Sequence, residues 1–228
     1  FASNKEDLLK IKGLERLSLL VKEGKSKLES ATFIVTLNRY ERKKNLNLAA
    51  EAYIELTKEL KNTKTKNPED FYFIVAGGYD ERLQENYDVY NELKNKKYPV
   101  ENNAFFLRSI SNTERCILLK NADVVLYTPR NEHFGIVPCE AMYCGSAVIA
   151  HRSGGPIESI KSNVGFLIDN EDPAVWGKQM YKYLTGKTIE KGVLKKHVID
   201  NFSLGRMNRD MKEQLAERWP KSSFYKKE

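Results

Sequence analysis

The chain has 228 residues, enough for one large domain or two small ones. Its composition, 41% hydrophobic and 30% charged, is that of a globular protein with a sizeable core. No apolar run approaches the roughly 20 residues that a membrane-spanning helix needs.

The net charge of +7 favours acidic partners, among them nucleotides, nucleic acid and anionic lipid. The lysines form short, dispersed clusters at residues 58–66, 94–97 and 221–227, which is typical of solvated surfaces. No nucleic-acid-binding motif accompanies these clusters, so we expect no nucleic acid partner. Attraction to a membrane surface stays open.

The three cysteines, Cys116, Cys139 and Cys144, are odd in number and lack metal-ligand spacing. They lie in apolar helical segments, where a free cysteine acts as a small buried hydrophobe. We therefore expect a reducing, cytosol-facing environment and no cysteine nucleophile.

Residues 1–30 are expected to form a polar lead-in with one helix over residues 8–21. From Thr32 onwards the pattern changes, and four near-continuous apolar runs predict strands at residues 32–37, 71–76, 123–127 and 146–150. Continuous rather than alternating runs indicate strands that are covered on both faces, as in parallel sheets.

Apolar residues at helical spacing fill the gaps between these strands. They predict helices at residues 46–60, 80–97, 114–120, 138–143 and 156–161. A last apolar stripe, Leu204, Met207, Met211 and Leu215, follows Ser203 as a candidate N-cap.

The alternation of strands and helices predicts an α/β fold: a doubly wound, mostly parallel sheet flanked by helices, Rossmann-like in type. One domain, residues 31–220, would carry it, with a basic tail at residues 221–228. In such folds the ligand binds outside the carboxyl ends of the strands.

The loop after the first predicted strand carries Arg39 and Lys44. Fixed cations at this edge can neutralise a diphosphate and stabilise the growing charge of a leaving group. A charged surface loop without a ligand is the alternative. Gly77 and Gly78 follow the second strand, where they permit either close backbone approach to a ligand or a plain turn.

Glu132 and Glu140 stand at a strand-to-helix junction with seven residues between them. Two carboxylates there can accept hydrogen bonds from two parts of one polyhydroxylated ligand, and the helix N-terminus between them can hold an anion. Pro138 predicts that Glu140 lies in the first turn of the helix, where the alternative role is helix-end stabilisation. Glu132 alone would be an ordinary loop acid, and a pair of acids also suits a hydrolase.

His133 follows Glu132 in the turn and is either a ligand contact or a structural residue. Gly154 and Gly155 precede a proline-started helix and make another candidate site for backbone contact with an anion or a sugar. All four loops fall on one predicted edge of the sheet, and this convergence favours a binding site over four unrelated turns.

Taken together, these segments resemble the C-terminal, donor-binding domain of retaining glycosyltransferases of the GT-B fold, over roughly residues 32–217. Longer strings, Asn-Arg-Tyr-Glu-Arg-Lys-Lys-Asn-Leu, Val-Ala-Gly-Gly-Tyr-Asp-Glu-Arg and Tyr-Thr-Pro-Arg-Asn-Glu-His-Phe-Gly-Ile-Val-Pro, resemble the α-1,3/1,6-mannosyltransferase group of the dolichol-linked oligosaccharide pathway. His133 and Asn45 depart from the general pattern, where many relatives have glycine.

The resemblance implies a GDP-mannose donor and a lipid-diphosphate-linked oligosaccharide acceptor at the cytosolic face of the endoplasmic reticulum membrane. It implies that Arg39 and Lys44 bind the diphosphate, that Glu132 holds the transferred sugar and that Glu140 holds the ribose. No metal or other cofactor is expected. The remaining donor-binding positions that it implies are Gly77, Gly78, His133, Phe134, Gly135, Ile136, Gly154 and Gly155.

Enzymes of this fold bind the acceptor with an N-terminal domain, so the resemblance also implies an isolated donor-binding domain that transfers no mannose unaided. Three other readings stay open. The chain could use a uridine-nucleotide sugar, it could be a non-catalytic nucleotide-sugar-binding or protein-binding module, or, least favoured, it could bind nucleic acid.

Overall fold

The computed structural model describes residues 3–218, and it contains one parallel sheet in the strand order β3-β2-β1-β4-β5-β6. The strands are β1 Thr32–Leu37, β2 Phe71–Gly77, β3 Ala104–Arg108, β4 Val124–Tyr127, β5 Ala147–His151 and β6 Gly165–Ile168. This order is that of a doubly wound fold, so the predicted fold class is confirmed.

Helices flank the sheet, and several of them connect its strands. They are α1 Glu15–Lys22, α2 Leu46–Thr63, α3 Gln84–Lys94, α4 Asn112–Asn121, α5 Ile136–Cys144, α6 Pro156–Ser159, α7 Pro173–Thr185, α8 Lys191–Phe202 and α9 Leu204–Arg218. Helix α2 packs against α7, and α5 packs against α8. No helix in the described part of the chain is both long and apolar enough to cross a membrane.

The central strands are buried on both faces, as their continuous apolar runs predict. Every residue of β1 is buried, and its register with β2 pairs Ile34 with Phe73 and Leu37 with Ala76. The four predicted strands are present to within one residue. The two strands that we did not predict, β3 and β6, lie at the two edges of the sheet, where partial burial weakens the apolar signal.

The prediction of one helix over residues 8–21 is wrong. A 3-10 helix, Lys5–Lys10, is followed by α1, and Gly13 in the left-handed region at φ +96° separates them. Four apolar side chains of this segment, Leu8, Ile11, Leu14 and Leu17, are at most 2% exposed and belong to the main core. The segment expected to be a polar lead-in therefore contributes to the core.

The last helix, α9, begins as predicted, because the Ser203 hydroxyl accepts a hydrogen bond from the Arg206 N–H at 3.1 Å. Its apolar stripe, however, does not enter the core. Leu204, Met207 and Met211 are 69%, 52% and 51% exposed. The predicted basic tail, residues 221–228, lies outside the described residues.

All three cysteines are free. Burial raises the pKa of Cys139 and of Cys144 to about 11, so both thiols stay protonated near neutral pH.

Candidate functional site

The sheet changes direction of growth between β1 and β4, which are paired although three helices and two strands separate them in the chain. A cavity of about 470 Å³ opens there, at the carboxyl ends of the strands. The predicted site residues that line it are Arg39, Lys44, Gly77, Gly78, Glu132, Gly135 and Ile136. The structure thus brings three of the four predicted loops to one cavity.

Lys44 is the buried cation of this cavity, with only 8% of the residue exposed. Its Nζ lies 2.5 Å from Oε1 of Glu132, and its carbonyl accepts a hydrogen bond of 2.8 Å from the Thr128 hydroxyl. A buried ammonium is costly unless it is paired, so Glu132 stabilises it. The ion pair joins the loop after β1 to the loop after β4.

The backbone next to Lys44 explains an unusual residue of the sequence. Asn45 is in the left-handed region at φ +48°, where it ends a 3-10 turn and begins α2. Asparagine tolerates this conformation better than other residues with a side chain. Arg39 is more exposed than Lys44, and its guanidinium lies 2.7 Å from Glu41.

Gly77 and Gly78 let the loops after β1 and β2 touch. A Cβ at Gly77 would lie 1.9 Å from the carbonyl oxygen of Asn38, and one at Gly78 would lie 3.2 Å from Cγ of Arg39. The glycines therefore have a packing role at the wall of the cavity, and this role holds whether or not they also contact a ligand.

Gly135 turns the chain into α5 at φ +72°, and a Cβ there would lie 2.8 Å from the Tyr127 hydroxyl. Burial raises the pKa of Tyr127, and the Glu132 carboxylate raises it further, so the phenol stays neutral. No side chain among residues 3–218 caps the start of α5. Its first N–H groups, at Ile136 and Val137, lie at the cavity wall and form a favourable position for an anion.

Glu140 lies in the second turn of α5, because this helix starts at Ile136 and not at Pro138. The expected first-turn position is therefore wrong, and helix-end stabilisation does not account for this carboxylate. Glu140 instead accepts a hydrogen bond from the guanidinium of Arg115 on α4. Arg115 lines the cavity and Glu140 does not.

His133 and Phe134 are both exposed and do not line the cavity. The ring of Phe134 packs edge-on against Phe202 at the end of α8, with 5.9 Å between the ring centres. This contact fixes the turn between Glu132 and α5.

Gly154 and Gly155 also lie outside the cavity lining, but they support the acidic loop. Cβ atoms at these positions would lie 2.2 Å from the carbonyl oxygens of Glu132 and Phe134, respectively. The Gly155 N–H donates to the Glu132 carbonyl at 2.8 Å. Their position indicates a supporting role for the loop that carries Glu132.

Sequence reasoning missed several lining residues: Asn38, Ser109, Ile110, Asn112, Arg115 and Tyr127. Ser109 to Arg115 follow β3, and they were missed because that edge strand was not predicted. Three of the six carry signs of functional constraint. Ser109 adopts φ +51°, and Nδ2 of Asn38 and Nε of Arg115 are buried without a hydrogen-bond partner in the described part of the chain.

The cavity carries more positive than negative charge, since Arg39, Lys44 and Arg115 face one lining carboxylate, Glu132. Among the described residues, no group of three or more His, Cys, Asp or Glu side chains is arranged to hold a metal ion. The arrangement offers cations and uncapped N–H groups for an anion beside a carboxylate for hydroxyl groups.

Comparison with known proteins gives the same picture. Residues 21–197 match the family model "Glycosyl transferases group 1". The chain is 44% identical over 178 residues to alpha-1,3/1,6-mannosyltransferase ALG2 of Homo sapiens, covering 77% of this chain and 41% of that protein. The Debaryomyces hansenii protein of the same name is 31% identical over 245 residues, covering 92% of this chain and 50% of that one.

Among solved structures, sucrose-phosphate synthase from Thermosynechococcus elongatus shares the fold with a TM-score of 0.65 at 20% identity, covering 84% of this chain and 46% of that one. The chain spans half or less of the length of these relatives. It belongs to the group 1 glycosyl transferases.

Proposed function

We propose that the carboxyl-edge cavity binds the donor of a glycosyl transfer, a sugar joined to a nucleoside diphosphate. One observation carries the proposal: Arg39, the Lys44–Glu132 ion pair and the uncapped start of α5 meet in one cavity of about 470 Å³. Cations and a helix N-terminus suit the diphosphate, and carboxylates suit the hydroxyl groups on either side of it.

In this proposal Arg39 and Lys44 bind the diphosphate, Glu132 accepts hydrogen bonds from the transferred sugar, and Glu140 accepts them from the ribose. The Lys44–Glu132 contact places the phosphate-binding cation beside the sugar-binding carboxylate. When the sugar departs, the two cations and the N–H groups of Ile136 and Val137 stabilise the charge that grows on the diphosphate. The proposal assigns this work to the protein's own groups and includes no metal ion.

We propose GDP-mannose as the donor and a retaining transfer that adds α-1,3 mannose, α-1,6 mannose or both to a lipid-diphosphate-linked oligosaccharide. The mannosyltransferase names of the relatives support this choice. We propose the cytosolic face of the endoplasmic reticulum membrane as the place of action, as the resemblance of the sequence motifs implies. Since the chain spans half or less of its relatives, we propose that it binds the donor but transfers no mannose alone.

A uridine-nucleotide donor is the second candidate. Anabaena HepE, which resembles this chain with a TM-score of 0.59 at 20% identity, was solved in complex with UDP and glucose. A non-catalytic module is less well supported, because Arg39, Lys44, Glu132 and Glu140 are all present in this chain.

Calorimetric titration of the chain with GDP and with UDP tests the proposal. We expect GDP to bind, with UDP at least about tenfold weaker, a difference of about 1.4 kcal/mol. Tighter binding of UDP would favour a uridine-nucleotide donor over GDP-mannose. If neither nucleotide binds at millimolar concentration, the proposal that this cavity recognises the donor is contradicted. Mannose transfer from GDP-mannose by this chain alone would contradict the proposed need for a further domain.

A further inference from the structure

Arg115 connects the cavity to Glu140. It is the fourth residue of α4, it lines the cavity, and one of its terminal nitrogens donates to Oε2 of Glu140 on the neighbouring helix α5. The two side chains are 32% and 33% exposed, so the pair is reachable from outside the protein. Glu140 itself does not line the cavity, and Arg115 is the cavity-lining residue that contacts the Glu140 carboxylate.

Folding alone does not explain an arginine at this position. A cation near the start of a helix is opposed by the helix dipole. The start of α4 is already satisfied by Ser111 and Glu114, which form a reciprocal capping box. In addition, Nε of Arg115 is buried and has no hydrogen-bond partner among residues 3–218, which costs free energy.

The chemistry of the pair suits a nucleoside. A carboxylate has two oxygens that together accept about four hydrogen bonds, so holding Oε2 leaves capacity for the two O–H donors of a ribose. The guanidinium also restricts the orientation of the carboxylate, so less side-chain entropy is lost when a ligand binds. Its charge further offsets the repulsion between Glu140 and a diphosphate bound nearby.

We propose that Arg115 is a positioning residue that sets the Glu140 carboxylate for the vicinal hydroxyl groups of the nucleotide ribose. Arg115 thereby makes the domain discriminate ribonucleotides from nucleotides that lack these hydroxyls. This inference rests on the proposed donor-binding function and adds to it a residue outside the motifs and a selectivity.

The test compares GDP with 2′,3′-dideoxy-GDP by calorimetric titration. The proteins are the native chain, Arg115→Gln, Arg115→Lys, Glu140→Gln and the double variant Arg115→Gln/Glu140→Gln. Arg206→Gln is the matched control, because Arg206 forms a comparable ion pair with Asp210 on α9, away from the cavity.

We expect the native chain to prefer GDP over the dideoxy compound by about tenfold or more, as for the loss of hydrogen bonds to a charged group. Arg115→Gln should weaken GDP and leave the dideoxy compound almost unchanged, so that the preference falls towards one. Arg115→Lys should restore part of it. In the Glu140→Gln background, loss of Arg115 should have no further effect on the preference.

An unchanged preference in Arg115→Gln would overturn the inference, and so would equal weakening of both nucleotides. If Arg115→Gln does not fold, as judged by circular dichroism, the Lys variant and Glu140→Gln decide the question by the same ratio. A native chain that binds neither GDP nor UDP would remove the proposed function and this inference together. A native chain that binds GDP with a ratio insensitive to Arg115 would remove the inference alone.

Discussion

One cavity lies at the carboxyl ends of the strands and another at their amino ends, next to Glu69, Tyr72 and Asn103. We call them the carboxyl-edge and the amino-edge cavity, and they differ in chemistry more than in size. The carboxyl-edge cavity has a volume of about 470 Å³ and the amino-edge cavity about 580 Å³. At the amino edge the polar groups are used by the fold. The Asn103 amide donates to the carbonyls of Glu69 and Phe71 at 2.8 and 3.0 Å, and Lys61 donates to the Pro99 carbonyl at 2.9 Å.

At the carboxyl edge, by contrast, the described residues leave polar groups without a hydrogen-bond partner. Nδ2 of Asn38 and Nε of Arg115 lack partners, and the start of α5 is uncapped. Volume therefore does not distinguish a binding site from a packing gap in this molecule. The unpartnered donors do, because buried polar groups that serve only the fold are normally hydrogen-bonded.

The largest expected difference between the two edges concerns their lysines. Lys44→Gln should raise the dissociation constant for GDP about 30- to 100-fold, or about 2–2.7 kcal/mol, because it removes a partly desolvated cation from the diphosphate. Lys61→Gln, at the amino edge, should change it less than about twofold. Calorimetric titration measures both, and equal effects of the two substitutions would contradict the assignment of the carboxyl edge.

Glycine substitutions give an effect of comparable size, on stability and not on affinity. Gly135→Ala should lower the free energy of unfolding by about 2–3 kcal/mol, because the residue has φ +72° and its Cβ would meet the Tyr127 hydroxyl. Gly192→Ala is the control, since a Cβ at this helical position has open space; we expect a gain of up to about 1 kcal/mol. Urea unfolding measures both.

The double variant Gly135→Ala/Tyr127→Phe sharpens that result. Removing the Tyr127 hydroxyl should restore part of the lost stability, since the clash is with that oxygen. If the second substitution makes the loss larger, the clash is not what makes glycine necessary at this turn.

The asparagines compare the edges directly. Asn103→Ala should lower the free energy of unfolding by about 2 kcal/mol, because it leaves the carbonyls of Glu69 and Phe71 without their donor. Asn38→Ala should cost half of that or less, since the Asn38 amide nitrogen has no partner to lose among the described residues. For GDP affinity the order should reverse, because Asn38→Ala should weaken GDP binding and Asn103→Ala should leave it unchanged.

The smallest effect concerns Asp123, the residue before β4 at the amino edge. Burial raises the pKa of Asp123, although its carboxylate accepts the Phe33 N–H at 2.8 Å. A raised pKa in the folded state means that the folded protein binds the proton more tightly, so this group's favourable contribution is present at low pH and is lost as the pH rises through that pKa.

Asp123→Asn keeps an acceptor for Phe33 and removes the titration. The variant should therefore gain stability relative to the native chain between pH 4 and pH 7, by less than about 1 kcal/mol. Melting temperatures at the two pH values measure the change. A relative loss of stability at pH 7 would show that the charged form is the favoured one in the folded protein.

Sequence reasoning worked where a local pattern of residues has a single physical explanation. The buried runs of β1 and β2 predicted the sheet. Because Arg39, Lys44 and the pair Gly77 and Gly78 follow these strands, they were expected at the carboxyl edge, where they line the cavity. It failed at the edge strands, whose partial burial gives a weaker pattern, and with β3 it lost Ser109 and Arg115. Glu140 was placed one turn too early because Pro138 suits any position of the first turn.

The supporting role of Gly154 and Gly155 depends on contacts with segments that are distant in the sequence. The exposure of the apolar stripe of α9 likewise depends on which parts of the fold lie near it. Gly155 faces Phe134 and Gly154 faces Glu132, pairs that are far apart in the sequence. The spacing of residues along the chain does not show such contacts. It therefore cannot distinguish a glycine that contacts a ligand from one that supports the neighbouring loop.

The most direct test of the central claim is a nitrogen–proton NMR titration of the chain with GDP. We predict that the backbone amides of Arg39, Gly77, Gly78 and Ile136 shift in a saturable manner, while those of Lys61, Glu69 and Asn103 at the amino edge do not. Saturable shifts confined to the amino edge, or no shifts at millimolar GDP, would contradict the claim that the carboxyl-edge cavity is the donor site.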